Sequence, residues 1–267
     1  MFTLGNLLCG FAAIFAASRS TGIPLAFGWT PLTFAAVYIF LGMLLDGLDG
    51  RIARLTRSHS ELGEQLDSMA DMVTFGVAPA FLAVQLVGVN APFVAQFDVG
   101  DALGHRIAVV VACIYVACAA LRLARFNVEN GQVSKLEHGT FRGLPTPGAA
   151  GTVASLVLLH EHLKLREASP ELFTSLAAAA MVAVMLLSAL AMVSSFKYVH
   201  VMNRYVRNRA PFDTVVKVVV VGLLLVVWPQ ATLAVAFVAY ALSAPVAGIY
   251  RWITGNGKRK AVGEAGS

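Results

Sequence analysis

This chain has little charge for its size. Only 13% of its 267 residues are charged and 58% are hydrophobic, whereas a soluble globular domain carries about 25% charged residues. The mean hydropathy is +0.73. The shortage of charge excludes an ordinary soluble domain and favours a membrane protein with several apolar helices. We therefore expect an all-α, polytopic helical bundle.

Cysteine is also scarce. The three cysteines, Cys9, Cys113 and Cys118, stand apart within apolar runs and lack the paired spacing of a thiolate metal site. We expect all three to be small hydrophobic side chains of the core.

Apolar runs divide the chain into about eight candidate spans. They cover residues 3–18, 31–50, 72–89, 107–124, 145–160, 172–194, 214–228 and 231–250. Pro229-Gln230 is expected to form a tight turn between the last two. The pattern predicts a single membrane domain over residues 1–250, followed by a polar, basic tail over 251–267.

The basic residues predict the orientation of these spans. If the N-terminus is cytoplasmic, sixteen of the twenty Lys and Arg residues fall on the cytoplasmic side, as the positive-inside tendency requires. Both termini are then cytoplasmic, in a membrane of the bacterial inner-membrane type. The net charge of +5 is interpreted as contact with anionic membrane lipid rather than with nucleic acid.

Four aspartates stand out in residues 46–71, which read DGLDGRIARLTRSHSELGEQLDSMAD. Asp46 and Asp49 are three residues apart and Asp67 and Asp71 are four apart, so each pair shares one face of a helix. Each pair adjoins an apolar run, where an uncompensated charge is costly. We expect a divalent metal, one ion or two, to compensate the cluster at the cytoplasmic boundary.

Small residues continue both aspartate stripes. Gly50 and Ala53 follow on the second helix, and Gly63 precedes the aspartates of the third. Their missing side chains leave room for a nucleotide, and Arg54 can make forked contacts with phosphate. Oxygen ligands suit Mg²⁺, Mn²⁺ or Ca²⁺, bound metal attracts a diphosphate, and one carboxylate can accept a proton from an attacking hydroxyl.

This run resembles the signature of the CDP-alcohol phosphatidyltransferases, D-x-x-D-G-x-x-A-R-x8-G-x-x-x-D-x-x-x-D, with every position filled. The resemblance implies that Asp46, Asp49 and Asp67 bind Mg²⁺ or Mn²⁺. It implies that Asp71 is the catalytic base and also reaches the metal. It further implies that the CDP group is held by Gly50, Ala53, Arg54 and Gly63.

Further segments resemble the phosphatidylserine synthase branch of that family. They are TLGNLLCG at 3–10, FGVAPA at 75–80, LRLARFN at 121–127 and FRGLPTPGAA at 141–150. The resemblance implies transfer of a phosphatidyl group from CDP-diacylglycerol to L-serine, giving phosphatidylserine and CMP, and it implies a homodimer. Direct attack by the serine hydroxyl is favoured, because the motif supplies a base but no obvious nucleophile; a covalent intermediate stays open.

The carboxylate of serine needs a cationic or polar partner near the cytoplasmic boundary. The candidates are Arg125 and Lys197, preferred, and then Arg122, Asn127 and Arg142. The alternative for each arginine is contact with lipid phosphate. The segment 126–144 is expected to be a loop that covers the site.

Three alternatives stay open from the residues. Glycerol phosphate or inositol phosphate can replace serine as the acceptor. The second alternative is an ion-coupled transporter, which also uses carboxylates within the membrane, although the four aspartates of this chain lie at one boundary rather than at the midplane. The third alternative is an inactive structural relative. The run His160-Glu161-His162 is expected to be a polar patch at the opposite interface.

Overall fold

The computed structural model describes residues 2–19, 28–56, 61–90, 100–132, 140–165, 171–194, 197–199 and 212–264. Helices dominate them, as predicted. The elements are α1 (Phe2–Ser18), α2 (Pro31–Thr56), α3 (Glu61–Asp71), a π-helical segment (Met72–Val77), α4 (Ala78–Asn90), α5 (Gly100–Gln132), β1 (Thr140–Arg142), α6 (Thr146–Leu165), α7 (Glu171–Val193), β2 (Lys197–Val199), α8 (Phe212–Val227) and α9 (Pro229–Glu264).

Four stretches of the described residues are long and apolar enough to cross a membrane. They are Pro31–Ile52, Leu62–Gly88, Gly104–Val128 and Pro229–Ala247. Large apolar side chains also lie exposed on the bundle surface, such as Leu8, Phe11 and Val226, as lipid contact requires. The chain is thus an integral membrane protein, while the count of eight spans stays a prediction.

The core is formed around α6. Its residues Ala149, Ala150, Val153, Ala154 and Val157 are fully buried, and the helix packs against α2, α4, α7 and α9. Helix α1 packs mainly against α2. Small core side chains let these helices approach closely, which is how helices associate in lipid.

The π-helical segment interrupts the third predicted span immediately after Asp71. The Ala78 amide donates to the carbonyl of Val73, five residues earlier, instead of four. Pro79 has no amide hydrogen and so cannot donate to the carbonyl of Phe75, four residues earlier. The buried Tyr115 hydroxyl donates to the Phe75 carbonyl at 3.2 Å. Tertiary contact therefore stabilises an irregular turn that the apolar pattern does not reveal.

A two-stranded antiparallel ribbon, not predicted from the sequence, joins the ends of the central helices. Thr140 pairs with Val199 and Arg142 with Lys197. Gly143 follows β1 with φ +84°, where a Cβ would overlap the carbonyl oxygen of Met192. The prediction of a loop over 126–144 is wrong in part, because α5 continues to Gln132 and the ribbon begins at Thr140.

Two smaller predictions are wrong. His160 and Glu161 do not form an interfacial patch: they are buried, 6% and 2% exposed, because they lie on the central helix α6. His160 Nδ1 lies 3.3 Å from Glu161 Oε1, and Thr30 hydrogen-bonds the Glu161 carboxylate. Cys9 is buried as expected, but Cys113 is exposed on the apolar surface of α5.

Candidate active site

Three of the four aspartates meet in one place. Asp46 from α2 and Asp67 and Asp71 from α3 each offer an oxygen, and these oxygens lie within 4.8 Å of one another. All three residues are half-buried. Helical spacing puts Asp67 and Asp71 on one face of α3. Helix α1 packs against both α2 and α3, and Asp46 of α2 lies beside the α3 pair.

Asp49 lies at the edge of this group. Its carboxylate interacts electrostatically with Asp46 and Asp67, and its Oδ2 accepts a hydrogen bond from the hydroxyl of Thr3. The site therefore contains four carboxylates from two helices, three of them close enough to share one ligand.

Such a group repels itself unless cations lie nearby. Arg122 interacts electrostatically with Asp71, and a single guanidinium by itself would not balance four carboxylates. Hard oxygen donors at this spacing are the set that Mg²⁺ and Mn²⁺ use. The residues present therefore fit a divalent cation.

Helix α1 contributes two polar residues to the site that were not predicted from the sequence. Besides Thr3, the amide nitrogen of Asn6 donates to Asp71 Oδ1 at 3.0 Å. Thr3 and Asn6 are 9% and 0% exposed. The available signal was the three-residue spacing of two polar side chains in an otherwise apolar helix.

The residues predicted to hold CDP lie along the same helices. Gly50 is exposed one turn beyond Asp46, and a Cβ there would meet nothing within 4 Å. Gly63 is likewise exposed on α3, one turn before Asp67. Ala53 and Arg54 lie on the last turn of α2. The space beside Gly50 is open, and the nucleotide position stays a prediction.

Two of the predicted acceptor residues make side-chain hydrogen bonds to neighbouring helices. Arg122 donates from Nη1 to the Thr146 hydroxyl at 3.0 Å, at the first residue of α6. The Asn127 amide donates to Ser68 Oγ at 2.9 Å, next to Asp67. Arg125 lies between them on α5, half-buried.

The remaining two acceptor candidates occupy paired positions in the ribbon. The strand register pairs Arg142 directly with Lys197, and β1 ends four residues before Thr146, the partner of Arg122. Arg142 and its paired residue Lys197 are thus close to the N-terminal end of α6, which begins at Thr146.

The model of the CDP-alcohol phosphatidyltransferase family matches residues 1–185. The match covers all four aspartates and more than half of the chain. This chain therefore belongs to the CDP-alcohol phosphatidyltransferase family.

Curated relatives share one name, CDP-diacylglycerol–serine O-phosphatidyltransferase. The protein of that name from Helicobacter pylori is 33% identical over 171 residues, 64% of this chain and 61% of the relative. That from Bacillus subtilis is 38% identical over 149 residues, 56% of this chain and 68% of the relative. That from Saccharomyces cerevisiae is 41% identical over 129 residues, 46% of this chain and 40% of the relative. The chain thus spans between two fifths and about two thirds of the length of these relatives.

Proposed function

We propose that this protein transfers a phosphatidyl group from CDP-diacylglycerol to the hydroxyl of L-serine, releasing CMP and forming phosphatidylserine. The observation that carries the proposal is the group of three carboxylate oxygens from Asp46, Asp67 and Asp71 within 4.8 Å of one another. Membership of the family and the shared name of the curated relatives support the donor and the acceptor.

The four aspartates would hold Mg²⁺ or Mn²⁺, as one ion or two. When bound, the metal neutralises the diphosphate of the donor and stabilises the leaving CMP. The chain's own part is to keep four carboxylates together beside the membrane. Gly50, Ala53, Arg54 and Gly63 bind the CDP group along the open side of α2 and α3.

Asp71 acts as the base in this proposal. It takes the proton from the serine hydroxyl while the serine oxygen bonds to the phosphorus that bears diacylglycerol, and the bond from that phosphorus to CMP breaks. The hydrogen bond from Asn6 to Oδ1 leaves the second carboxylate oxygen of Asp71 for this step. Direct attack in a ternary complex is favoured over a covalent intermediate.

The acceptor carboxylate is bound by cationic residues at the end of α6. Arg122 has the strongest support, because it interacts electrostatically with Asp71 and Thr146 holds its guanidinium. Arg142 and Lys197 occupy paired positions in the ribbon, and two like charges at paired strand positions favour an anion nearby. Arg125 and Asn127 complete the proposed set.

The proposed setting is a membrane of the bacterial inner-membrane type with the site at its cytoplasmic face. We propose eight spans with both termini cytoplasmic, one membrane domain over residues 1–250 and a basic tail over 251–267. Exposed Ala179 and Ala180 on α7 support a homodimer through close helix packing, which cross-linking in native membranes tests.

An acceptor panel tests the proposed function. Purified protein in detergent receives CDP-diacylglycerol, Mn²⁺ and one labelled acceptor: L-serine, glycerol phosphate or inositol phosphate. We expect labelled phosphatidylserine and stoichiometric CMP with serine alone. Product from either phosphate acceptor, and none from serine, would assign the chain another acceptor within the family.

A further inference from the structure

The buried face of α1 presents polar groups to the carboxylates of the candidate active site. Thr3, Asn6 and Gly10 follow one another at spacings of three and four residues, so they share one side of the helix. Buried polar side chains cost free energy unless they are hydrogen-bonded. On this helix the polar side chains that are buried find carboxylate partners.

Each of the two polar side chains binds a carboxylate from a different helix. Thr3 donates its hydroxyl to Asp49 Oδ2 on α2, and Asn6 donates its amide to Asp71 Oδ1 on α3. Both donors are neutral. They therefore restrain the carboxylates without cancelling the negative charge that attracts a divalent cation.

Asn6 is itself held firmly. Its backbone carbonyl accepts a hydrogen bond from Thr74 Oγ1 at 2.9 Å, which ties α1 to the π-helical segment. A Cβ at Gly42 would lie 2.9 Å from Asn6 Oδ1, and one at Gly10 would lie 2.9 Å from the Cα of Thr74. Two glycines thus allow α1, α2 and the π-helical segment to enclose Asn6, leaving its side chain little rotational freedom.

We propose that Thr3 and Asn6 are positioning residues that fix the Asp49 and Asp71 carboxylates for metal binding and proton transfer. This inference rests on the proposed function of the aspartates. Hydrogen bonds that orient metal-binding carboxylates are typically worth about 10–100-fold in metal affinity or activity. If Thr3 and Asn6 only filled space, replacing each of them with a side chain of similar shape would leave metal affinity and activity unchanged.

The test uses variants that keep shape and remove the donor. Asn6→Leu and Thr3→Val lose the hydrogen bonds, whereas Thr3→Ser keeps the hydroxyl. Cys9→Ala is the matched control, since Cys9 is buried on the same helix. For each full-length protein we measure Mn²⁺ affinity directly by electron paramagnetic resonance, then kcat, and KM for CDP-diacylglycerol.

We expect Asn6→Leu to lower kcat about 10–100-fold with KM within about threefold. We expect Thr3→Val to weaken Mn²⁺ binding about tenfold and Thr3→Ser to restore it. In Cys9→Ala, Mn²⁺ affinity and kcat should stay within about twofold of the native values. The inference is overturned if Thr3→Val binds Mn²⁺ as the native protein does and Asn6→Leu keeps its kcat. It is equally overturned if Thr3→Ser is as defective as Thr3→Val.

The Mn²⁺ measurement separates this inference from the proposed function. If the native protein makes no phospholipid from any acceptor but Mn²⁺ binding still falls in Thr3→Val and recovers in Thr3→Ser, the transferase proposal fails and the positioning role stands. If turnover is normal and neither substitution changes metal affinity or kcat, the proposed function stands and the positioning role fails.

Discussion

At the scale of single residues, the aspartate constellation was predictable because helical spacing is a local property. Spacings of three and four residues put Asp46 with Asp49, and Asp67 with Asp71, on common faces, and the structure brings three of the four together. The partners of Asp49 and Asp71 on α1 were not predictable. Which side chains of distant helices touch depends on packing that spacing within one helix does not encode.

Replacing Asp71 with Asn tests the proposed base. The amide cannot accept the proton, so we expect kcat to fall by about 10²–10⁴-fold. Its oxygen can still accept the hydrogen bond of Asn6, so the local packing is preserved. CMP binding, measured by calorimetry on the same protein, should change little. Native kcat in Asp71→Asn would remove Asp71 as the base.

Replacing Arg122 with Gln tests the acceptor site. If its guanidinium binds the serine carboxylate, the variant loses a charge-assisted hydrogen bond, and KM for serine should rise by about tenfold or more. KM for CDP-diacylglycerol should change far less. Arg106→Gln is the matched control, because Arg106 is exposed near the other end of α5. An unchanged KM for serine in Arg122→Gln would exclude Arg122 from the acceptor site.

At the scale of elements, the helices were predictable and the irregular joints were not. Apolar runs marked the helices, and Pro229 marked the break between α8 and α9. Hydropathy does not distinguish a π-helical turn from an α-helical one, so the apolar pattern predicts an ordinary span after Asp71. Pro79 was the local signal, because it frees the carbonyl that Tyr115 binds.

Tyr115→Phe tests the role of that hydrogen bond. The substitution leaves the buried Phe75 carbonyl without the hydroxyl, which costs about 1–3 kcal/mol of unfolding free energy. We expect a lower thermal midpoint in detergent. Tyr38→Phe is the control, since Tyr38 is half-buried on α2 and its hydroxyl makes no hydrogen bond within the described ranges. Equal midpoints for the two variants would contradict the proposed role.

Gly10→Ala tests the close approach of α1 to the π-helical segment. The added Cβ would overlap Thr74 Oγ1 and crowd its backbone, so we expect about 1–3 kcal/mol of destabilisation. Gly222→Ala on α8 is the control: a Cβ there meets nothing within 4 Å, and alanine favours the helix. A Gly10→Ala protein as stable as Gly222→Ala would show that the contact is looser than described.

At the scale of the whole molecule, composition identified the class. Low charge and long apolar runs predicted a membrane bundle, and four candidate spans among the described residues agree. The burial of His160 and Glu161 was not predictable, because polarity suggests an interface while packing around α6 decides the outcome. Arg204, Arg207 and Arg209, which are among the sixteen basic residues predicted to be cytoplasmic, lie outside the described residues.

The orientation is tested by an epitope tag placed after Ser267. With both termini cytoplasmic, added protease should destroy the tag in inverted membrane vesicles and spare it in right-side-out vesicles. A tag on the N-terminus should behave identically. Opposite protection of the two tags would require an odd number of spans.

The central claim is that the clustered carboxylates act through a divalent cation, and a chelation experiment on the purified protein tests it most directly. Formation of labelled phosphatidylserine from CDP-diacylglycerol and labelled serine is followed after exhaustive EDTA treatment and again after Mn²⁺ or Mg²⁺ is added in excess. We predict that product formation stops on chelation and returns with the metal. Undiminished product formation in the metal-depleted protein would contradict the account.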